Sequence, residues 1–335
     1  MLMKHFVALL FLLSSVIALH AQTTDDWEIF HAYHKATHNV PAGQRVYSLY
    51  EGNLLVCDAE TYEVQMLDRT MGLSDVQIAA IAYSHAEEKL VIAYKNGNID
   101  LLDEDGNVVN IPQLRNNNPA IVINSLKTSG SNAYIGTDKG MAHIDIAKEE
   151  LRSYYVLNTN VSCATGYEGN LFVVTDKGLI TCTLAENPFA PTAWKTLLPL
   201  PVRDLGVFAG SLYYTLGAGT PNVSSEWGLW RMTMGENQQF EHTQITWKPY
   251  GTIETGVRFP GSGEVAAVTS EAPGTLFYET SLPQGSLCIT QADGGTLWSS
   301  NGSDGLQAYT LKNSALTPTG SPIGGYGPQH DLCYY

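Results

Sequence analysis

A turn glycine followed at once by a short apolar strand recurs along this chain, and no other feature limits its possible folds so tightly. It stands at Gly52 (GNLLVCD), Gly97 (GNIDLLD), Gly140 (GMAHIDI), Gly178 (GLITCTL), Gly228 (GLWRMT), Gly274 (GTLFYET) and Gly305 (GLQAYTL), at steps of 45, 43, 38, 50, 46 and 31 residues. The clearest unit runs from Gly72 to Leu102. It holds a turn (Gly72 to Asp75), an apolar run (Ile78 to Tyr83), a polar break (Ser84 to Lys89), a second apolar run (Leu90 to Tyr94), an Asn96-Gly97 turn and a third strand (Asn98 to Leu102). Asn-Gly is a strong hairpin signal, because both central residues of a type I′ turn need positive φ. Leu90-Val91-Ile92-Ala93-Tyr94 does not alternate apolar with polar, so that strand is expected to be covered on both faces. Units of about 40–50 residues with four short strands each predict an all-β fold, a β-propeller of seven blades of four antiparallel strands. The up-and-down hairpins favour a ring over a solenoid.

Hydrophobic residues make up 44% of the 335 positions and charged residues 15%, with 31 glycines, a composition with ample core material and many turns. The first residues, with Lys4, an apolar core from Phe6 to Ala18 and Ala21 ahead of Gln22, read as a secretory signal peptide cut after Ala21. That core is shorter than the roughly 20 residues that span a bilayer. The expected organisation is therefore a signal peptide over 1–21, a propeller over 22–325, and a linker with the start of a following domain over 326–335. The expected location is the periplasm or the outer-membrane surface. Net charge is −15, and a surface this acidic repels phosphate backbones, which argues against a nucleic-acid partner. Five widely spaced cysteines, Cys57, Cys163, Cys182, Cys288 and Cys333, form no disulfide framework. Cys163 and Cys182 are placed on the first and third strands of one blade, too far apart to bridge across the strand between.

Along the chain, Thr23 to Tyr33 is expected to give a strand that completes the last blade as a clasp. Blade one ends near Leu67, blade three spans Ile123 to Tyr155 and blade four spans Val161 to Leu197, the latter two with Asp138-Lys139-Gly140 and Asp176-Lys177-Gly178 at their hairpins. Blade five carries a long excursion, Gly217 to Trp227, between its second and third strands. Blade six, from Gly256 to about Ser281, is the least regular. Blade seven begins at Ser286, with Trp298 packed between blades.

Few motifs carry chemistry. His31, His34 and His38 would share one face of a helix and could hold a metal there, but Thr37, Val40 and Pro41 argue against a helix, so solvated histidines are expected and no metal or cofactor is assigned. Asp293-Gly294-Gly295-Thr296-Leu297-Trp298 partly resembles the Asp-box turn of sialidase-type propellers, a structural turn that says nothing of catalysis. A nucleophile elbow, an HExxH, a phosphate-binding loop and a dinucleotide fingerprint are all absent, so no catalytic residue is assigned and an enzyme is not expected. A propeller lyase or glycosidase would rest on fold alone.

The text DGGTLW…DGLQAY resembles the repeat of two-component-regulator propellers, the extracellular sensors of hybrid histidine kinases. The run from Trp27…His31-Ala32-Tyr33 through GLSDVQIAAIAY, LVIAYKNGNIDLL and INSLKTSGSNAYIGTDKGMAHIDIAKEELRSYY resembles the N-terminal propeller of the PorZ family, surface components of the type IX secretion system of Bacteroidetes. That resemblance implies a non-enzymatic part of the attachment complex, working with the sortase PorU and with PorV and PorQ. It further implies binding of anionic lipopolysaccharide and its presentation to the sortase, and a longer protein with a second propeller and a sorting domain. The alternative is an extracellular ligand-sensing propeller of a hybrid regulator. Trp227, at the end of the excursion, is the candidate contact residue, because exposed aromatics are enriched at binding hot spots. Trp230, on the following strand, is expected to pack between blades.

Overall fold

The computed structural model describes residues 36–118, 120–208, 210–216, 228–236, 239–246, 256–258, 265–267, 286–291, 296–301, 305–312 and 315–319. They form six four-stranded antiparallel sheets and one two-stranded ladder, every strand paired with its neighbour in sequence. The first sheet holds β1 (Ala36–Ala42), β2 (Arg45–Tyr50), β3 (Asn53–Asp58) and β4 (Val64–Leu67); the second, β5 (Ile78–Ser84), β6 (Lys89–Tyr94), β7 (Ile99–Asp103) and β8 (Val108–Ile111). The third holds β9 (Ile123–Ser129), β10 (Asn132–Thr137), β11 (Gly140–Asp145) and β12 (Glu150–Val156); the fourth, β13 (Val161–Tyr167), β14 (Asn170–Thr175), β15 (Gly178–Thr183) and β16 (Lys195–Leu198). The fifth holds β17 (Val202–Phe208), β18 (Ser211–Leu216), β19 (Gly228–Met234) and β20 (Phe240–Thr246). The ladder pairs β21 (Gly256–Arg258) with β22 (Val265–Ala267), and the last sheet holds β23 (Ser286–Gln291), β24 (Thr296–Asn301), β25 (Gly305–Lys312) and β26 (Ala315–Pro318). One short helix, α1 (Gln113–Asn117), joins β8 to β9.

The apolar runs explain why these sheets stack. Side chains alternate across a strand, so Leu90, Ile92 and Tyr94 of β6 pack toward the first sheet, while Val91 and Ala93 pack toward the third. In β14, Leu171 and Val173 face the third sheet, and Phe172 and Val174 the fifth. The core is thus a series of layers between sheets. The series closes on itself: Val46 and Cys57 of the first sheet enclose Trp298, Leu306 and Ala308 of the last. The first strands of neighbouring sheets pack on one another, β1 on β5 and β23, and β9 on β5 and β13, and β9 also meets β17 two sheets away. First strands therefore line the axis. The last sheet draws its four strands from 286–318; the stretch expected to clasp it, 23–33, lies outside the described residues, as do 1–21, Gly274 and 326–335.

The recurring glycine marks one structural place, the connection from second to third strand. The turn chemistry differs from expectation at Asn96-Gly97, where Gly97 takes positive φ (+83°) and Asn96 does not. Gly97 N donates to Tyr94 O (2.9 Å) and Tyr94 N to Asn98 O (2.9 Å), a three-residue turn ending in a left-handed glycine rather than a type I′ turn. Asn96 is held elsewhere, its Oδ1 accepting from Asn98 N (2.9 Å) and its Nδ2 donating to Asp75 (2.6 Å). Paired positive φ occurs instead at Glu51-Gly52 and Glu168-Gly169. In the Asp138-Lys139 and Asp176-Lys177 hairpins the preceding threonine does the work. Thr137 Oγ1 donates to Gly140 O (2.8 Å), and Thr175 Oγ1 to Gly178 O (3.1 Å).

His143, 1% exposed on β11, stacks on Tyr134 (centroids 4.7 Å) with Nε2 on Asn132 Oδ1 (2.8 Å). Burial, reinforced by the Arg152 guanidinium against a smaller opposing effect of Asp145, pushes its imidazole down to about 4 from 6.5. Well above pH 6.5 the ring is neutral folded and unfolded, so it adds no pH dependence there. As pH falls from 6.5 toward 4 the unfolded chain takes up a proton that the folded chain refuses, and roughly 3 kcal/mol of stability is lost. Denaturant titrations across that window should show this slope, and His143→Gln should remove it.

Candidate functional site

The connections from fourth to first strand and those from second to third strand share one face of the sheet array. Ile78 N donates to Gly52 O (2.9 Å), Lys95 N to Gln77 O (2.9 Å), and Leu157 N and Asn158 N both to Lys139 O (2.9 and 3.0 Å). The first of these crossovers is held by acidic side chains. Asp100 Oδ2 accepts from Ser74 N (2.8 Å) and Tyr94 OH (2.6 Å), while Asp75 Oδ2 pairs with Arg115 Nη1 at 2.9 Å. Among the described residues, Met71, Val76, Val122 and Val156 are exposed apolar side chains of this crossover face, the last closing β12.

Every first strand except that of the short ladder carries an extra residue at its second position. Pairing in β1 passes from Ala36↔Tyr50 to His38↔Leu49 and leaves Thr37 unopposed. The same step leaves Ala79, Asn124, Ser162, Arg203 and Leu287 unopposed in β5, β9, β13, β17 and β23. A bulge bends a strand, sharpens its twist and re-aims a side chain. Because first strands start at the crossover face and line the axis, the bulges ring the axial mouth there. Sequence reasoning missed them. The available signal is a β-branched apolar residue opening the strand, Ile78, Ile123, Val161 or Val202, directly before the bulged one.

The ring is asymmetric. Asn124, Ser162 and Arg203, from three consecutive sheets, are exposed, whereas Ala79 is small and half-buried. The six bulged strands hold just three charged side chains, Lys127, Arg203 and Asp204, two cations against one anion in a strongly acidic protein. Lys127 Nζ reaches Asp204 Oδ2 (3.2 Å), joining β9 to β17 past β13. Asp204 Oδ1 accepts from Leu205 N (2.9 Å) and from the Cys163 thiol (3.2 Å). Burial, with Asp204 beside it, pushes that thiol up to about 12 and keeps it protonated. Cys57 and Cys182 are also buried and unbridged, and β14 separates Cys163 from Cys182 as expected. The side chain of Cys288, and Cys333, lie outside the described residues.

Trp227 lies outside the described residues with the whole stretch 217–227. Its anchors are described: the excursion leaves at Leu216 and returns at Gly228, between second and third strands. Leu216 is paired with Val202, the residue before bulged Arg203. Trp230 stacks on Tyr214 (centroids 6.3 Å, 10°) and packs on the layer between the fourth and fifth sheets, as expected. Trp298 packs between the first and last sheets, also as expected; Asp293, Gly294 and Gly295 are outside the described residues. His38 lies on strand β1, so a helical histidine face does not extend to it, and His31 and His34 are outside the described residues. Among the described residues no group of three or more His, Cys, Asp or Glu side chains could hold a metal.

A cavity of about 750 Å³ opens between the first and second sheets, lined by Arg45, Asp58, Glu63, Asp103 and Glu104 among others. Its polar groups serve the fold. Asp58 Oδ1 accepts from Glu60 N (2.9 Å) and Thr61 N (2.8 Å), Asp103 Oδ1 from Asn107 N (2.8 Å), and Arg45 Nη1 donates to Glu104 O (2.8 Å).

Four-stranded up-and-down sheets stacked about an axis and sealed by a side-chain seam define a β-propeller, and the comparisons with known proteins agree. Residues 46–195, from β2 to the start of β16, match the family described as the TSS9, PorZ, N-terminal beta-propeller domain. PorZ of Porphyromonas gingivalis, a surface component of the type IX secretion system, is 24% identical with a TM-score of 0.72; the similarity covers 89% of this chain and 39% of PorZ. The chain thus spans about two fifths of that protein. Virginiamycin B lyase from Staphylococcus aureus is 11% identical (TM-score 0.59), with 85% of this chain and 98% of the lyase covered. The extracellular domain assigned to a hybrid two-component system of B. thetaiotaomicron is 12% identical (TM-score 0.52), with 82% of this chain and 40% of that chain covered. At these identities the solved structures speak for the fold alone. No curated protein shows significant sequence similarity.

Proposed function

We propose that this protein is a non-enzymatic, exported propeller of the type IX secretion attachment complex, which helps to bind anionic lipopolysaccharide and present it to a PorU-like sortase together with PorV- and PorQ-like proteins. The match of residues 46–195 to the PorZ N-terminal propeller family carries this reading. In it, residues 1–21 direct export, 22–325 form seven blades and 326–335 lead into a further domain. No described helix is long and apolar enough to cross a membrane. Affinity capture of the tagged protein from host outer membranes should recover the sortase and anionic lipopolysaccharide together. Recovery of neither would overturn the proposal. Trp227 is proposed as a contact: Trp227→Ala should weaken capture while leaving the thermal midpoint unchanged, and a fall in that midpoint would make it a core residue instead.

The second reading, a ligand-sensing domain of a hybrid regulator, draws on the likeness to the B. thetaiotaomicron extracellular domain. A membrane helix and kinase encoded downstream of Tyr335 would favour it over the adaptor.

A further inference from the structure

We propose that the cleft between the first and second sheets is a docking groove for an extended peptide segment of a partner protein, one that lays an aromatic side chain on the cleft floor and sets a lysine or arginine at its acidic lips. This goes beyond the proposed function and does not depend on it. The two layers that follow show how such a cleft is closed elsewhere in the molecule. Between the second and third sheets, α1 lies against β12, the outermost strand of the third sheet, and buries Leu114 in the layer. Between the third and fourth, the long connection from β15 to β16 folds back on the third sheet. Its Phe189 and Trp194 lean on Tyr155 (centroids 5.0 and 6.4 Å), and Trp194 Nε1 donates to Pro188 O (2.8 Å). Among the described residues nothing does this between the first and second sheets. The crossover there carries one short helical turn, Arg69–Met71, that buries none of its residues, and the connection from β7 to β8 is the short turn 104–107.

What is left open is an apolar floor with acidic lips. Tyr47, Leu73 and Leu102 are buried in the layer itself, Val56 and Leu67 pack against it half-buried, and Met71 stands exposed beside them. At about 750 Å³ the cleft has the volume of a ligand site, typically about 300–1,000 Å³. Asp58, Glu63, Asp103, Glu104 and Asp105 line it against one guanidinium, Arg45. The Thr61 and Glu60 N–H groups hold Asp58 below the usual carboxylate range, and Asn107 does the same for Asp103, so both stay ionised. Glu63 and Asp105 are exposed, one on each sheet. Lips of one sign select a cation beside the apolar anchor. A second copy of this chain, at net charge −15, brings the wrong sign. So does its own aromatic stretch 23–33, which carries Asp25, Asp26 and Glu28 and no lysine or arginine.

Panning a phage library of random heptapeptides on the full chain, then measuring the selected peptides by fluorescence anisotropy, tests the groove. Selected peptides should share an aromatic residue next to a lysine or arginine, and replacing that aromatic with alanine should weaken them about tenfold or more, as loss of a buried anchor does. Glu63→Lys combined with Asp105→Lys should weaken binding by about tenfold or more, and Met71→Ser by about fivefold. All three positions are exposed, so the thermal midpoint should hold in both variants. Glu150→Lys, exposed at the start of β12 and outside the cleft, should leave binding unchanged. Equal losses in Glu150→Lys and the double variant would reduce the effect to general electrostatics and overturn the groove. Undiminished binding by the double variant or by Met71→Ser would overturn it too, as would selection of peptides without the basic and aromatic pair, or of none. No readout here involves a sortase or lipopolysaccharide, so the groove and the adaptor reading stand or fall separately.

Discussion

Trp298→Ala is expected to cost about 3–5 kcal/mol of stability, the range for deleting a large buried aromatic. The indole is 1% exposed and lies in the layer that joins the last sheet to the first, against Val46, Cys57, Leu306 and Ala308, with the Tyr62 ring at 6.1 Å. Other layers join sheets that follow one another in the chain, so covalent continuity helps to hold them. This layer joins the first sheet to the last, which do not follow one another in the chain, and its described contacts run between side chains such as Val46, Cys57, Trp298 and Leu306. Truncation should therefore loosen the seam before the sheets melt. Denaturant titration should show the loss, and Cys57, buried in the same layer, should react with a thiol reagent well before global unfolding. Trp298→Phe should cost far less, because the indole Nε1 has no hydrogen-bond partner among the described residues and the change removes packing only.

Gly178→Ala is expected to cost about 3 kcal/mol, from about 1–2 for a side chain in left-handed backbone and about 1–3 for the displacement its methyl forces. Gly178 has φ +113°, and a Cβ there would run into the carbonyl oxygen of Leu198 and crowd the backbone of Leu200. The glycine lets the third strand begin beneath the end of the fourth. Gly169→Ala is the control: φ is also positive (+69°), but nothing lies within 4 Å of its Cβ, so only the backbone contribution should appear. Thermal or denaturant melts of the two variants separate close approach from conformation. Gly140 tells the same story from the other side. A Cβ there would strike the Tyr155 carbonyl although φ is not positive, so the recurring glycine reflects crowding by the fourth strand as much as turn geometry.

That crowding explains why the strand grammar was legible. The glycine recurs where second strands give way to third, and apolar runs such as Leu90 to Tyr94 mark strands shared between two layers. Both effects are local and written in residue type. The boundaries of the third and fourth sheets follow from them to within a residue or so. What stayed hidden depends on alignment between strands. Asn124, Ser162 and Arg203 look like ordinary strand residues; they become a ring only because each is the unopposed member of a first strand, and a bulge has no composition of its own. Lys127 and Asp204 lie on sheets separated by a whole blade, so no spacing could reveal their pairing. The Asn96-Gly97 turn shows the limit of a local rule: Asp75 draws the Asn96 amide toward the crossover, and the glycine alone turns left-handed. The seam was legible in one residue, Trp298, whereas its partners Val46 and Cys57 come from the far end of the chain.

Ring closure underlies both the seam and the axial mouth, and the distance across the seam tests it most directly. Tyr62 OH meets Thr319 Oγ1 at 3.4 Å there, and Thr61 and Thr319 are exposed. Spin labels placed at Thr61 and Thr319 through an unnatural amino acid, which leaves the native cysteines in place, report that separation by double electron–electron resonance. A closed ring predicts a single narrow population at short distance in the native protein, lost on denaturation. A broad native distribution reaching the separations of an open arc would contradict closure, and with it the axial mouth.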